Sequence, residues 1–424
     1  MFPRIIVFFN IAFLCFSTLG VAEEKQDSYG NIADYLNSVY GIDDNAGLTS
    51  FPVLNVPMGG RSESMATAFS AVCDDVSFIE YNPAGSSVLT KSELAFFHNN
   101  WIADTKLEGV AYATRFGNLG LATGAKWLYT PFTEYNIYGE RVSNGYYSEG
   151  MALINASYNL FSGYYFSGVS AGVSLKGAFR IMPDYTDDKD NIIANSGWSQ
   201  SAMMGMADLG LLTRFNMLKF YNAREKNSSV ALTLRNLGPP SMDEPLPTVA
   251  VAGLSYKPFR PLLLAFDFSL PLNMKNPDLS EKPYAAFGSS VTVTSFLDMR
   301  GGIMIKSGSS RLTVGSAIHL NKISMDINYT LDLLTQLQPL NRISIAVRFD
   351  MGDGGRKLLS ERVDDLYLSG LEAYSYGNHS EAKRLWEEAL RLNPKFDPAR
   401  EGLVFLGSRE ALERRVDELQ SLDF

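Results

Sequence analysis

From Phe166 to Ile181 the chain reads FSGVSAGVSLKGAFRI, and its two parities differ in character. One carries Val169, Ala171, Val173, Leu175, Phe179 and Ile181; the other carries Gly168, Ser170, Gly172, Ser174, Lys176 and Arg180. Side chains of a strand alternate between faces, so this is a ribbon with one apolar face and one small or charged face. The same split recurs downstream. Leu262, Leu264, Phe266, Phe268 and Leu270 oppose Ala265, Asp267 and Ser269, and Leu297, Met299, Ile303 and Ile305 oppose Asp298, Arg300 and Lys306. Ile323, Met325, Ile327, Tyr329 and Leu331 oppose Ser324, Asp326, Asn328 and Thr330, and Ile343, Ile345, Val347 and Phe349 oppose Arg342, Ser344, Arg348 and Asp350.

Runs of this kind between turn signals place strands at 92–101, 106–116, 119–130, 150–161, 165–181, 200–216, 228–237, 247–257, 260–270, 283–294, 295–306, 310–320, 322–332 and 341–350. That is about fourteen, an even number, and strands of about 9–11 residues suffice to cross a bilayer. Lipid offers an open sheet edge no hydrogen bonds, so a sheet that spans a membrane must close. The pattern therefore predicts an all-β transmembrane barrel of antiparallel strands over residues 91–351. Gly117-Asn118, Lys257-Pro258 and Asn321-Lys322 read as short turns, and 131–149, 182–199 and 271–282 as long polar loops, the asymmetry of outer-membrane barrels. The competing architecture is a large soluble β-sandwich or β-helix with one wet face. Charged residues are nearly missing from the outer faces of the best strands, and no fixed repeat is present, which weighs against both.

Composition sharpens this. The chain combines 26 Phe and 21 Tyr with 35 Gly. Past the N-terminus no run of 18 or more apolar residues occurs, which argues against membrane-spanning helices. Residues 1–22 read as an export signal: Arg4, an apolar run from Ile5 to about Leu14, then Gly20-Val21-Ala22. A lipoprotein reading would use Cys15, but a bulky Leu14 precedes it. Removal of the signal leaves Cys73 alone, which excludes an intramolecular disulfide. The net charge is −9 with no basic block, so a nucleic-acid footprint is absent.

Gly352 to Gly355 end the strand pattern, and beyond them the period becomes helical. LYLSGLEAYSYGNHSEAKRLWEEALRLNPKFDPA resembles a tetratricopeptide repeat through Gly370, Gly377, Ala382, Trp386, Ala389 and Pro394. A further helix is expected from Ser408 to Leu422. Residues 352–424 are thus expected to form a small all-α unit that, too short to stand alone, leans on the barrel, a copy of itself or a partner, with Gly370 and Trp386 central to it. An even strand count returns the last strand to the side where the first began. Both termini, and the helical unit with any partner protein, are then expected in the periplasm. Phe349, rather than Phe424, stands where an outer-membrane barrel carries its terminal aromatic.

Before the first strand stands VPMGGRSESMATAFSAVCDDVSFIEYNPAGSSVL. It resembles the N-terminal hatch of the FadL-type outer-membrane transporters and the related PorV-like proteins. The matching residues are Gly59-Gly60, a small-residue helix at Ala66 to Ala71, Val72-Cys73-Asp74-Asp75, Tyr81, and Asn82, Pro83, Ala84 and Gly85. With the helical tail, the chain most resembles the FadL-like outer-membrane proteins of the treponemes over nearly its whole mature length. The resemblance implies a fourteen-stranded barrel closed by a hatch within residues 23–90, taking up long-chain fatty acids or other hydrophobic molecules. The residues themselves are compatible: Pro83 fixes its own φ and pushes Asn82 out of the helical region, and Asn82 suits a turn.

A fatty acid needs an apolar cavity and one or two cations for its carboxylate. Parity points Arg115, Lys126, Lys176, Arg180, Arg214, Arg235, Arg300 and Arg348 into the lumen, beside Asp208, Asp267, Asp298 and Asp326. Ion pairing that merely fills the lumen is the competing role for each. Lys176 and Arg180, on one strand with no obvious acid opposite, are the first choice for the carboxylate, with Arg115 and Lys126 behind them. Catalysis is poorly supported: His98, His319 and His379 are the only histidines, and none stands in a nucleophile motif. An outward His98 would lack a serine partner. The acidic loop Pro183 to Asn191 lacks the Gly and terminal Glu of a calcium loop, and no Cys/His metal site or cofactor is expected. The alternative function is a binding platform or PorV-like carrier that recruits a periplasmic protein through its helices.

Overall fold

The structure, a computed structural model, describes residues 43–101, 104–136, 138–184, 186, 192–307, 310–333 and 340–421. The expected signal at 1–22, the start of the expected hatch at 23–42 and most of the acidic loop lie outside the described residues.

Fourteen antiparallel strands close into one barrel in sequence order. They are β1 (Glu93–Asn100), β2 (Lys106–Phe116), β3 (Leu119–Tyr135), β4 (Arg141–Leu160), β5 (Val169–Ile181), β6 (Ala202–Phe215) and β7 (Ser228–Leu237). Then follow β8 (Thr248–Phe259), β9 (Leu262–Leu272), β10 (Tyr284–Thr294), β11 (Leu297–Ile305), β12 (Arg311–Leu320), β13 (Ile323–Asp332) and β14 (Leu340–Asp350). Closure is made by β1 on β14, in register from Glu93 opposite Asp350 to Asn100 opposite Ile343. The end where β1 begins and β14 stops is called the near end below, and the other the far end.

The predicted faces are the observed ones. Val173, Leu175, Phe179 and Ile181 are exposed on the outside of β5, while Ser170, Ser174 and Lys176 are buried inside. Leu232, Phe268, Phe287, Ile327 and Ile343 continue the apolar outer belt around the wall. Phe116, Tyr158, Phe259 and Phe296 are exposed close to the near end, and Trp127 and Tyr146 toward the far end, as in the aromatic girdles of membrane barrels.

Some boundaries differ from the sequence reading. The expected loop 131–149 is mostly strand: β3 and β4 pair beyond the rim from Thr130 opposite Tyr147 to Tyr135 opposite Arg141. The rungs that flank this arm end at Lys106 opposite Tyr129 and at Ser148 opposite Ile181. Thr130, Phe132, Thr133, Tyr135, Tyr146 and Tyr147 are β-formers, and that preference outweighed the polarity of the segment. Lys257-Pro258 is not a turn; β8 runs on to Phe259 through a register shift after Tyr256 that accommodates the proline. The turn is Arg260-Pro261.

Three helices follow the barrel: α2 (Arg356–Ser375), α3 (His379–Leu392) and α4 (Asp397–Ser421). A Cβ on Gly370 would collide with the Trp386 ring, and one on Gly402 would crowd its other side, so both glycines are needed for this close packing. Trp386 Nε1 also donates to Tyr367 O at 3.2 Å. The unit docks on the near end. Arg224, in the β6–β7 connection, makes a two-pronged pair with Asp364 at 2.8 and 2.9 Å, and Tyr164, between β4 and β5, meets the Phe396 ring edge-on at 5.1 Å. Those two near-end connections are longer than a tight turn because they carry this contact.

Residues 51–89 run inside the barrel, ahead of β1. Their chain is mostly irregular, with one short helix, α1 (Gly60–Ser64), and 3-10 turns at Pro52–Leu54, Val76–Glu80 and Pro83–Val88. The helix expected at Ala66 to Ala71 is absent. Ala66 and Thr67 stand at φ 51° and 66°, left-handed values that break a helix. Strand parity fixes only where β1 starts and β14 stops. Residues 43–50 lie at the far end, where Ser50 N donates to Pro245 O at 2.9 Å and Lys282 N to Asp43 Oδ2 at 2.6 Å. From there the luminal segment threads the barrel to the start of β1, and the expected mature N-terminus itself lies outside the described residues.

The fit between segment and wall gives a test. Gly172 faces the lumen, where a Cβ would strike the Pro83 carbonyl, whereas Gly177 on the same strand has nothing within 4 Å. Gly172→Leu should cost about 1–3 kcal/mol and Gly177→Ala should be neutral, as read from the denaturant midpoint at which the compact barrel is lost on unheated gels.

Candidate functional site: a lined cavity above the luminal segment

A chain without regular structure leaves its N–H and C=O groups for others to satisfy, and inside a barrel those others are wall side chains. The wall supplies them all round. Asn99 on β1 donates to Pro57 O at 3.1 Å, Asn328 on β13 to Gly60 O at 2.8 Å, and Thr313 on β12 to Ser64 O at 3.0 Å. Asp267 on β9 accepts from Phe69 N and Ser70 N at 3.1 and 3.0 Å. Ser229 on β7 donates to Ala71 O, and Glu149 on β4 accepts from Val53 N at 2.8 Å.

The Asn82 to Gly85 turn is fully buried in this setting. Asn82 Oδ1 accepts from Ala84 N at 2.9 Å, while its amide donates to Ser70 O at 2.8 Å and to Leu211 O of β6 at 3.3 Å. Asn155 on β4 donates to Pro83 O at 2.9 Å. Gly85 lies so close to Phe78 that a Cβ there would overlap the ring. Three arginines hold the carbonyls that follow. Arg214 of β6 reaches Val88 O at 3.5 Å, Arg115 of β2 Leu89 O at 3.2 Å, and Arg356 of α2 Thr90 O at 2.7 Å.

Charge adds a second set of ties at the near end. Arg348 reaches Asp75 at 2.8 Å and Asp326 at 3.1 Å, Asp326 also pairs with Arg300, and Arg61 holds Asp74 at 2.7 Å. Burial pushes the Asp75 carboxyl up, but Arg348 and Arg61 outweigh it and hold the group below the usual carboxylate range. Burial also pushes the Cys73 thiol well above its ordinary value.

At the far end, between the luminal segment and the loops, lies a cavity of about 370 Å³, within the range of small-molecule sites. The luminal segment contributes Val56, Thr67, Glu80 and Tyr81 to it, and the wall contributes Trp101, Met151 and Met304. Among the residues chosen from sequence, Lys126 and Lys176 line it; Arg180 and Arg115 do not. Lys176 does face an acid: its ammonium lies 2.6 Å from Asp208 of β6, which corrects the sequence reading. Lys126 pairs with Glu80 at 2.5 Å. Arg180 sits over the Phe51 ring at 5.7 Å and 3.9 Å from Glu244. Arg115 belongs to the near end. Arg235, Trp101, Met151 and Tyr81 were not chosen, although parity had already put Arg235 inside. His98 points outward, paired with Glu108 at 2.8 Å.

A closed barrel with an apolar belt, a lumen filled by its own N-terminal segment and a lined far-end cavity defines a plugged membrane-spanning barrel. The chain belongs to UPF0164, described as an uncharacterised protein family, whose model matches residues 41–353, that is, the luminal segment and barrel without the helices. A UPF0164 protein of Treponema pallidum (strain Nichols) is 28% identical over 410 residues, covering 92% of this chain and 91% of that one. A second from the same organism is 24% identical over 396 residues, with 87% and 77% covered. Among solved structures, the Ralstonia pickettii toluene transporter TbuX aligns at 10% identity and a TM-score of 0.45, covering 72% of this chain and 99% of that one. A KdgM porin aligns at 11% identity and 0.30, with 61% and 99% covered. At these scores the likenesses add nothing to the fold read from strand pairing.

Two outcomes test the seating of the segment. Asp326→Asn leaves Arg300 and Arg348 short of a buried partner and should destabilise by about 3–5 kcal/mol, measured by denaturant titration. Cys73, buried and with its thiol pushed up, should react with maleimide at pH 8 only after unfolding; rapid labelling of the native protein would mean that the segment leaves the lumen.

Proposed function

We propose that the protein is an outer-membrane channel for passive uptake of hydrophobic molecules, long-chain fatty acids among them, with residues 51–89 as its hatch. The far end is then extracellular, and the near end with its helices periplasmic. The observation that carries this reading is the cavity of about 370 Å³, lined both by far-end loops and by the luminal segment. A molecule arriving from the loops meets a pocket of small-molecule size whose floor can shift, since the segment is held by side-chain hydrogen bonds and ion pairs rather than by strand pairing. Lys126 and Lys176, at the cavity wall, remain candidates for a ligand carboxylate; Arg180 would act from beside the cavity and Arg115 at the exit. Release requires the hatch to shift or neighbouring strands to part. Outer-membrane lipid surrounds the apolar belt.

A general-diffusion pore fits less well, because the lumen is filled. In planar bilayers the intact protein should give no large steady conductance, and in detergent it should bind a long-chain fatty acid saturably. Absence of binding across chain lengths would sink the uptake reading.

The second reading makes the helices a recruitment platform, with the helical unit as the tetratricopeptide-like part. Val404, Leu412 and Val416 are exposed on α4 and favour it. Deleting 356–424 separates the two: uptake should survive under the channel reading, and capture of a periplasmic protein should vanish under the platform reading.

A further inference from the structure

Among the described residues five cations line the cavity: Lys126, Lys176, Arg235, Lys306 and Arg311. Four are matched to acids. Lys126 has Glu80 at 2.5 Å, Lys176 has Asp208 at 2.6 Å, Lys306 has Glu281 at 2.6 Å and Arg311 has Asp332 at 3.4 Å. Arg235 has no carboxylate within 4 Å among the described residues. Its guanidinium lies over the Tyr81 ring, 5.5 Å from the centroid, and donates one N–H to Glu80 O at 3.1 Å. Its Nε is buried without an acceptor. Asp267, the acid of β9, is spent on Ser70 and on the amides of Phe69 and Ser70.

A guanidinium drawn out of water with an N–H unmatched is costly unless something bound there repays it. We propose that Arg235 is the head-group anchor of the cavity, and that its ligand is an amphiphile bearing one anionic group, a carboxylate or sulfonate. The inference rests on the uptake reading and makes it more definite. Among the described residues Arg235 is the one lining cation with no carboxylate in contact, so a single anion can pair with it. The same ledger explains why Lys126 and Lys176 are poorer anchors: a ligand anion would have to displace Glu80 or Asp208. Direction follows as well. Arg235 stands on Tyr81 and Glu80 of the luminal segment, so the head lies inward against that segment. The tail extends toward the far-end loops along Leu246, Leu272 and Tyr284. Fork geometry matters here, since a planar guanidinium can hold a carboxylate with two N–H groups where an ammonium offers a point charge.

The test uses the full-length protein in detergent with two fluorescent probes of equal length, 11-(dansylamino)undecanoic acid and its methyl ester. The acid should bind about tenfold tighter than the ester. Arg235→Gln should bring the acid down to the ester's affinity and leave the ester unchanged, while Arg235→Lys should recover part of the preference. Equal binding of acid and ester by the native protein would overturn the proposal without touching the uptake reading, and this comparison stands even if the Gln variant does not fold. An equal loss for both probes in a folded Arg235→Gln, checked by heat-modifiable mobility, would assign the residue a structural role only and also overturn it. Binding of neither probe would sink the uptake reading and this inference together.

Discussion

The structure depends on one requirement: an irregular chain placed inside a sheet must have its peptide groups satisfied by the wall. About forty residues without a ladder of their own would carry a prohibitive number of unpaired N–H and C=O groups in a packed lumen. The barrel meets this with side chains rather than with water alone. Asn99, Asn155, Thr313, Asn328, Ser229, Asp267 and Glu149 each bond the luminal backbone, from six different strands. The polar parity of the strands, which in a soluble sheet would face water, is here the receptor surface for the protein's own N-terminal segment.

That requirement explains the glycines and the charges together. Where the segment passes closest to the wall no side chain fits: Gly120 faces Ser86 and Ser87, Gly172 faces Pro83, and Gly210 faces Asn82. Where the segment carries charge, the wall carries its opposite, as with Asp75 and Arg348 or Glu80 and Lys126. Buried pairs of this kind add little net stability over apolar packing, but breaking one is expensive, so they fix the place of the segment more than they strengthen it. The helical unit joins the same system, because Arg356 of α2 holds the carbonyls of Arg115 and Thr90, where wall and segment meet.

An open volume remains where the filling stops. The lower lumen is packed and ion-paired, and the far end retains an open volume with apolar lining and one cation lacking an acid. The two halves differ physically: side chains and ion pairs fill the near half, while the proposed anchor Arg235 stands beside open volume at the far end.

Sequence alone determined the strands, their faces and their number, because a period of two repeated through the wall is a local property that burial on one side and lipid on the other both enforce. It also carried the burial of Asn82 to Gly85, as an expectation from the resemblance of the segment to a barrel hatch, with which the proline and the small residues are compatible. Tertiary structure decided the rest. The arm of β3 and β4 was hidden because β-propensity and polarity disagreed there, and the helix expected at Ala66 to Ala71 failed because Ala66 and Thr67 turn left-handed and the wall, through Asp267, takes the amides of Phe69 and Ser70 just beyond them. Parity put Lys176, Asp208 and Arg235 inside, yet could not say that the first two meet and leave the third alone. Which charges pair across a lumen depends on strand order, stagger and closure, and those are set only when the sheet meets itself.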